Sequence, residues 1–214
     1  MSEKDQQETR AARAALYIDG FNLYHAIDRL GQPHLKWLSY WRLGQVILPQ
    51  KTQKLVRVVY CTAFYPGSAG KRWRHEQVIA AQRAEGVEVA LGHYVHERMM
   101  CRSCGDRWEK PTEKAGDINL AIHLMHDAFE DVFDHAYLLT ADSDQAATAA
   151  MFARHFPEKR LTTVAPPGRD PSVHILRHAS GGKIKLNAGH LERAVMGATV
   201  GKARRPDEYA PPEG

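Results

Sequence analysis

Residues 14–22 read AALYIDGFN, and this stretch predicts the repeating pattern of the chain. The apolar run AALYI (14–18) is typical of a short buried strand. Asp19-Gly20 predicts a turn, and a helix is predicted from Asn22 to Leu30. A buried strand that leads through a short turn into a helix is the basic unit of an α/β fold.

The same alternation continues along the sequence. Further strands are predicted at 55–65, 87–97, 135–141, 160–166 and, as an edge strand, 183–186. Further helices are predicted at 40–48, 71–85, 117–129, 145–155 and 171–178. Strands that alternate with helices imply right-handed crossovers and a mostly parallel sheet. We expect one domain over 14–196, a Cys-containing insert at 97–113, and disordered tails at 1–13 and 197–214.

The composition narrows the class of protein. The 214 residues include 43% hydrophobic residues, and 29 Lys and Arg against 25 Asp and Glu leave a net charge of +4. This excess permits a nucleic-acid partner without requiring one. We find no signal-peptide pattern and no apolar run that would span a membrane. Three Cys, two of them closely spaced, argue against a disulfide framework, so we expect a cytoplasmic protein.

Four aspartates are predicted to converge. Asp19 directly follows the first strand, and Asp142 and Asp144 directly follow the strand in HAYLLTA (135–141), while Asp117 opens a helix. Sites in open parallel sheets form beyond the carboxyl ends of the strands. Each Asp alone could instead be a helix N-cap, Asp144 in particular. Clustered carboxylates without a partner would repel one another, and their oxygen ligands suit Mg²⁺ or Mn²⁺.

Three segments carry a family resemblance. YIDGFNLYHAI (17–27), EKAGDINLAIHLM (113–125) and YLLTADSDQAATAAMF (137–152) resemble the three motifs of the NYN domain, a family of PIN-like nucleases that includes LabA-like proteins. The resemblance runs from about Leu16 to Pro167. It implies a three-layer Rossmann-like fold with helices on both faces of the sheet, and a ribonuclease site that depends on a divalent metal.

The resemblance also implies roles for single residues. Asp19, Asp117, Asp142 and Asp144 match the metal-site residues of the family. Asn22 matches an Asn that would position water, metal or phosphate, and Lys114 matches the basic residue before the helix Asp. The sequence departs from the family at Gly116, where a small aliphatic residue is usual, and at Gln145, where an aromatic residue is frequent.

Several polar and basic residues are candidates for substrate binding. Ser143 could bond a phosphate or serve only as a local turn residue. Lys71, Arg72 and Arg74 open a predicted helix at the same edge of the sheet, where they suit a phosphate backbone. Their alternative role is that of a solvated first turn.

The Cys pair forms the sequence Cys101-Arg-Ser-Cys104-Gly. Structural Zn²⁺ needs four ligands, and His93 and His96 are the candidates to complete the set. Residues three apart in a straight strand point to opposite faces, so a bulge or strand end would be required. A C-x-x-C turn without metal is the alternative.

The leading hypothesis is hydrolysis of RNA phosphodiester bonds. The alternative is a non-catalytic or regulatory RNA-binding module with the same fold, although binding RNA does not call for four negative charges. No P-loop motif is present, and Phe21 replaces the second Asp of haloacid dehalogenase-like phosphatases. The apolar residues Trp37, Leu38, Tyr40 and Trp41 would cover either the core, which we favour, or a partner in a homo-oligomer.

Overall fold

A six-stranded parallel sheet forms the centre of the computed structural model, which describes residues 10–212. In spatial order the strands are β3 (Glu88–Leu91), β2 (Gln53–Thr62), β1 (Ala12–Asp19), β6 (His135–Leu139), β7 (Arg160–Ala165) and β8 (Lys183–Lys185). The chain builds outward from β1 through β2 to β3 and then returns to β6. The order therefore reverses between β1 and β6, and such a switch point opens a crevice at the carboxyl ends of the strands.

Helices cover both faces of this sheet. One face carries α1 (Gly20–Asp28), α2 (Tyr40–Ile47), α3 (Ala69–Ala84) and α7 (Ala188–Glu192), and the other carries α4 (Gly116–Phe129), α5 (Ala146–His155) and α6 (Val173–Leu176). Leu16 and Ile18 of β1 pack into the first apolar layer, whereas Ala15 and Tyr17 pack into the second. A central strand that is buried on both sides explains the continuous apolar run AALYI. The predicted three-layer α/β fold is confirmed.

The segment after β3 differs from the prediction. The sequence indicated one strand at 87–97 and an irregular insert at 97–113. The structure instead forms an antiparallel hairpin of β4 (His93–Met100) and β5 (Arg107–Lys114), which is separate from the main sheet. The break falls at Gly92, where a Cβ atom would come within 2.5 Å of the Lys114 carbonyl oxygen. The hairpin leads directly into α4, so its geometry sets where that helix begins.

The predicted disorder of 197–214 is wrong over most of its length. Residues 199–204 form a small hairpin of β9 (Thr199–Val200) and β10 (Ala203–Arg204), followed by a 3-10 helix at Asp207–Tyr209. Ala203 and Tyr209 are buried against Trp37 and α3. The few apolar residues of this segment are enough to dock it, although Gly, Pro and charged residues dominate its composition.

Other expectations meet the structure more simply. Trp37, Leu38 and Tyr40 are buried in the core. Ala12 and Arg13, placed in the predicted N-terminal tail, belong to β1. The rest of that tail, apart from Arg10 and Ala11, and the last two residues of the chain lie outside the described residues. Within 10–212, no helix has both the length and the apolar character needed to cross a bilayer.

Candidate active site

Asp19 ends β1 and caps α1. One oxygen of its carboxylate accepts the backbone N–H of Asn22 at 3.0 Å, and the other accepts the Asn22 side-chain amide at 2.7 Å. Gly20 is required at this turn because a Cβ atom there would lie 2.5 Å from the Cys61 carbonyl oxygen of β2. The turn thereby holds Asp19 and Asn22 in fixed positions at the carboxyl edge of the sheet.

Thr140 links this turn to the end of β6. Its hydroxyl donates to the Asp19 carboxylate at 2.8 Å and accepts the backbone N–H of Asp142 at 3.0 Å. Asp142 in turn caps a short 3-10 helix (Ser143–Gln145) by accepting the N–H of Asp144 at 3.0 Å. Direct hydrogen bonds therefore join the strand ends that flank the switch point, and Asp19 and Asp142 lie at the same edge of the sheet.

Asp117 reaches the same place from the first turn of α4. The chain enters this helix through Ala115, which has φ of +75°, a conformation that is uncommon for a residue other than Gly. The buried side chain of Gln145 donates to the Asp117 carbonyl oxygen at 3.0 Å and accepts the Thr148 hydroxyl at 2.9 Å. Gln145, a departure from the family pattern, thus fixes the start of α4 against the 3-10 helix.

The charges of these carboxylates affect one another's pKa values. Burial raises the pKa of Asp19, and its hydrogen bonds with Asn22 and Thr140 oppose this effect while the charge of Asp142 adds to it. Asp117 is exposed as a residue, but partial desolvation of its carboxyl group raises its pKa, and the charges of Asp19, Asp142 and Asp144 raise it further. The four predicted aspartates therefore form one coupled group, which we call the acidic group.

A fifth carboxylate joins the acidic group. Glu113 of β5 accepts the backbone N–H of Gly116 at 2.8 Å. Desolvation raises its pKa, and the charges of Asp117 and Asp19 contribute to the rise. Glu113 is not among the residues that the sequence predicted for the site, whereas its neighbour Lys114 is. Neighbouring side chains of a strand point to opposite faces, so Glu113 and Lys114 of β5 lie on different sides of the hairpin. The sequence did not predict this strand.

Lys114 points away from Glu113, as neighbouring strand residues do. Its ammonium group pairs with Glu97 of β4 at 2.7 Å, and Thr112, two residues earlier on the same face, donates to Glu97 at 3.0 Å. Lys114 therefore forms its ion pair with Glu97 of the hairpin and not with a carboxylate of the acidic group. Ser143 is exposed on the 3-10 helix between Asp142 and Asp144.

The basic residues of α3 lie at the same edge of the sheet. Arg72 pairs with Glu76 one helical turn later, and Arg74 pairs with Glu208 at 2.6 Å. The Lys71 ammonium lies 5.7 Å from the centre of the Tyr65 ring, and no carboxylate of residues 10–212 pairs with it. Of the three cations, Lys71 is the one free to meet an anion without breaking an ion pair.

The hairpin does not assemble the expected zinc site. Cys101 and Cys104 lie in the turn at its tip, whereas His93 pairs with Lys114 at its base and His96 with Pro111. His96 and Cys101 are five residues apart in extended chain, which corresponds to roughly 16 Å. Within 10–212, no three His, Cys, Asp or Glu side chains stand in a geometry ready to ligate a metal. This statement includes the acidic group, whose carboxylates are not arranged around an ion.

The fold and this site define an α/β protein of the Rossmann-like class with carboxylates at its topological switch point. The sequence pattern of the NYN domain matches residues 13–164, which include the whole acidic group, and the chain belongs to this nuclease-like family.

Individual proteins also resemble the chain. It is 24% identical to 6-hydroxy-3-succinoylpyridine 3-monooxygenase HspA of Pseudomonas putida (strain DSM 28022 / S16), with 86% of this chain and 70% of that protein aligned. The crystal structure of VPA0982, a protein of unknown function from Vibrio parahaemolyticus RIMD 2210633, superimposes with a TM-score of 0.57 at 17% identity. That superposition covers 89% of this chain and 99% of the other, and it supports the fold alone.

Proposed function

We propose that the protein is a ribonuclease that hydrolyses RNA phosphodiester bonds and depends on a divalent metal. One observation carries the proposal: Asp19, Asp117 and Asp142 form an electrostatically coupled group at the switch point of an NYN-domain sheet. A bound cation would offset the negative charge that adjacent carboxylates bring together.

The donor set fits Mg²⁺ or Mn²⁺. Asp19, Asp117 and Asp142 would hold the ion. Asp144 and Glu113 interact electrostatically with Asp117 and would add negative charge around it. Hard oxygen ligands are those that these two ions prefer. A bound ion supplies polarisation of the phosphate and lowers the pKa of an attacking water.

The protein's own groups would orient the site and the substrate. Asn22 and Thr140 donate hydrogen bonds to the Asp19 carboxylate, and these bonds oppose the rise in its pKa that burial causes. Lys71, Arg72 and Arg74 would contact the phosphate backbone of RNA, and the exposed hydroxyl of Ser143 would bond a phosphate oxygen. Lys114 would serve the same purpose once substrate displaces Glu97. The free thiols of Cys61, Cys101 and Cys104 fit a cytoplasmic protein.

The test is cleavage of end-labelled RNA of mixed sequence with Mn²⁺, with Mg²⁺ and with EDTA. We expect cleavage with metal and none in EDTA, and a loss of at least roughly a hundredfold for Asp142→Asn with retained folding. Asp170→Asn is the matched control, because Asp170 is an exposed carboxylate paired with Lys185 outside the site. Full activity of Asp142→Asn would overturn the assignment.

The non-catalytic RNA-binding module is the alternative outcome of this experiment. It would appear as RNA binding that needs no metal and yields no product. A DNA strand of the same sequence, included in parallel, defines the substrate class. The oxygenation in the name of the Pseudomonas relative is not our proposal, because a coupled group of carboxylates suits phosphoryl chemistry directly.

A further inference from the structure

A cavity of about 310 Å³ opens beside Asp19, on the face of the sheet that carries α1 and α3. Its walls are mainly aromatic, and they come from α1, from β2 and the loop that follows it, from β4 and from the C-terminal segment. The most prominent of these residues are Phe21, Tyr24, Tyr60, Tyr65, Tyr94 and Tyr209. The volume lies at the lower end of the range, roughly 300–1,000 Å³, that small-ligand sites occupy.

The cavity and the acidic group share structural elements. Gly20 and Phe21, which follow Asp19 directly, line the cavity. Tyr94 is the hairpin partner of Glu113, and desolvation, with a contribution from the charge of Glu113, raises the pKa of Tyr94 to about 12. The Tyr94 ring lies 6.1 Å from that of Phe21 and 5.7 Å from that of Tyr65. A ligand in the cavity would therefore lie next to the acidic group.

The polar groups of the cavity suit a flat ring with an anionic group attached to it. Lys36, Lys71 and Arg74 line it, and Lys71 has no carboxylate partner among the described residues. Deeper in the cavity, His75 lies 3.2 Å from both the Tyr60 hydroxyl and the Thr62 hydroxyl. Burial lowers the pKa of His75 to about 4, so this imidazole is neutral at pH 7 and offers hydrogen bonds without charge.

We propose that this cavity receives the base of an unpaired RNA nucleotide adjacent to the phosphate at the acidic group, with Tyr94 as a stacking wall and Lys71 facing the backbone. This proposal rests on the proposed function, because it places the base next to a phosphate that is bound at the acidic group. Aromatic faces stack on any unpaired base, and basic residues beside them follow the phosphates. A free aromatic acid is the alternative ligand, and its binding is one of the outcomes of the test.

The experiment measures base insertion separately from cleavage. Asp142→Asn protein in EDTA is titrated into short RNAs that carry one 2-aminopurine at successive positions. We expect quenching of 2-aminopurine fluorescence at one position. Tyr94→Ala should weaken binding of that RNA roughly tenfold, and Tyr94→Phe should restore it. Trp108→Ala is the matched control, because Trp108 is an exposed aromatic residue of the same hairpin outside the cavity. If Tyr94→Ala fails to fold, Tyr65→Ala, at an exposed wall position, replaces it.

The outcomes separate this proposal from the ribonuclease assignment. Quenching that Tyr94→Ala abolishes supports the cavity as a base site even if the wild-type protein cleaves nothing. Metal-dependent cleavage without quenching at any position, and with an unchanged KM in Tyr94→Ala, overturns the base site and leaves the ribonuclease intact. Equal affinity for adenosine monophosphate and for the RNA, or tighter binding of benzoate than of either, would also overturn it in favour of a small free ligand.

Discussion

The Thr140 hydroxyl donates a 2.8 Å hydrogen bond to the Asp19 carboxylate and so joins the ends of β1 and β6 across the switch point of the sheet. The same oxygen accepts the N–H of Asp142. One small side chain therefore sets the separation of two carboxylates that come from positions 19 and 142 of the sequence.

Thr140→Val should weaken cleavage and metal activation together. The variant keeps the shape of the side chain but leaves Asp19 without one of its donors, and loss of such a supporting contact typically costs about 10–100-fold in metal affinity or activity. Thr140→Ser, which keeps the hydroxyl, should recover most of the loss. Titration of Mn²⁺ in the cleavage assay checks this, and identical activation curves for Val and wild type would contradict it.

Part of this site could be predicted from sequence, and part could not. Asp19 and Asp142 follow apolar strands, so the rule for strand ends placed them correctly. Glu113 could not be placed at the site from sequence, because its position depends on the pairing of β4 with β5. The break that separates this hairpin from the main sheet reads as continuous strand in the sequence. The role of Gln145 could not be predicted, because it depends on a hydrogen bond with Asp117. The two residues are 28 positions apart, and no local sequence pattern indicates such a contact.

Asp117→Asn should raise the melting temperature in the absence of metal. Desolvation and neighbouring charges raise the pKa of Asp117, so the folded state favours its protonated form, and ionisation above the raised pKa costs stability at pH 7. Removing the charge should increase the melting temperature and should reduce the stabilisation that Mn²⁺ gives to the wild type. Thermal unfolding with and without Mn²⁺ measures both effects. Asp170→Asn should change neither, and a lower melting temperature for metal-free Asp117→Asn would refute the repulsion.

Gln145→Leu should separate positioning from folding at the site. The variant fills the same space but leaves the Asp117 carbonyl oxygen without its donor, so the first turn of α4 loses its tie to the 3-10 helix. We expect a higher Mn²⁺ requirement for cleavage and a loss of stability of about 1–3 kcal/mol. Thr148→Val removes only the anchor of Gln145 and should show a smaller shift in the same direction. An unchanged Mn²⁺ requirement in Gln145→Leu would exclude the positioning role.

His135 should make the fold sensitive to acid. Its Nε2 lies 2.7 Å from the Thr162 hydroxyl, which donates to the Gly181 carbonyl oxygen, and its Nδ1 lies 3.0 Å from the side-chain nitrogen of Gln53. The Tyr137 hydroxyl donates to the Gln53 side-chain oxygen and so keeps the amide nitrogen facing His135. In this chain of hydrogen bonds Nδ1 is an acceptor, so a proton on it would face a donor.

Burial accordingly lowers the pKa of His135 to about 4 from an ordinary value of 6.5. Between pH 4 and pH 6.5 the unfolded chain binds more protons at this residue than the folded chain does. The contribution of His135 to the free energy of unfolding is therefore fully present above pH 6.5 and is lost as the pH falls toward 4. The loss should reach roughly 2–3 kcal/mol. His135→Asn should flatten this pH dependence in urea unfolding, whereas substitution of the exposed His155 should not. Parallel pH profiles for His135→Asn and wild type would show that other groups are responsible.

Tyr209→Ala should destabilise the whole domain, because the C-terminal segment is part of its core. Tyr209 is buried with Met196 and Ala203 against Trp37, Val78 and Ala81, and the neighbouring Glu208 pairs with Arg74. Loss of a buried aromatic side chain typically costs about 3–5 kcal/mol, and the open side of this site favours the lower end of that range. Removal of residues 199–214 should cost at least as much, since it also exposes Trp37 and Val78. Tyr209→Phe keeps the apolar contacts and serves as the control in urea unfolding. A segment that merely rested on the surface would leave the unfolding midpoint of Tyr209→Ala unchanged.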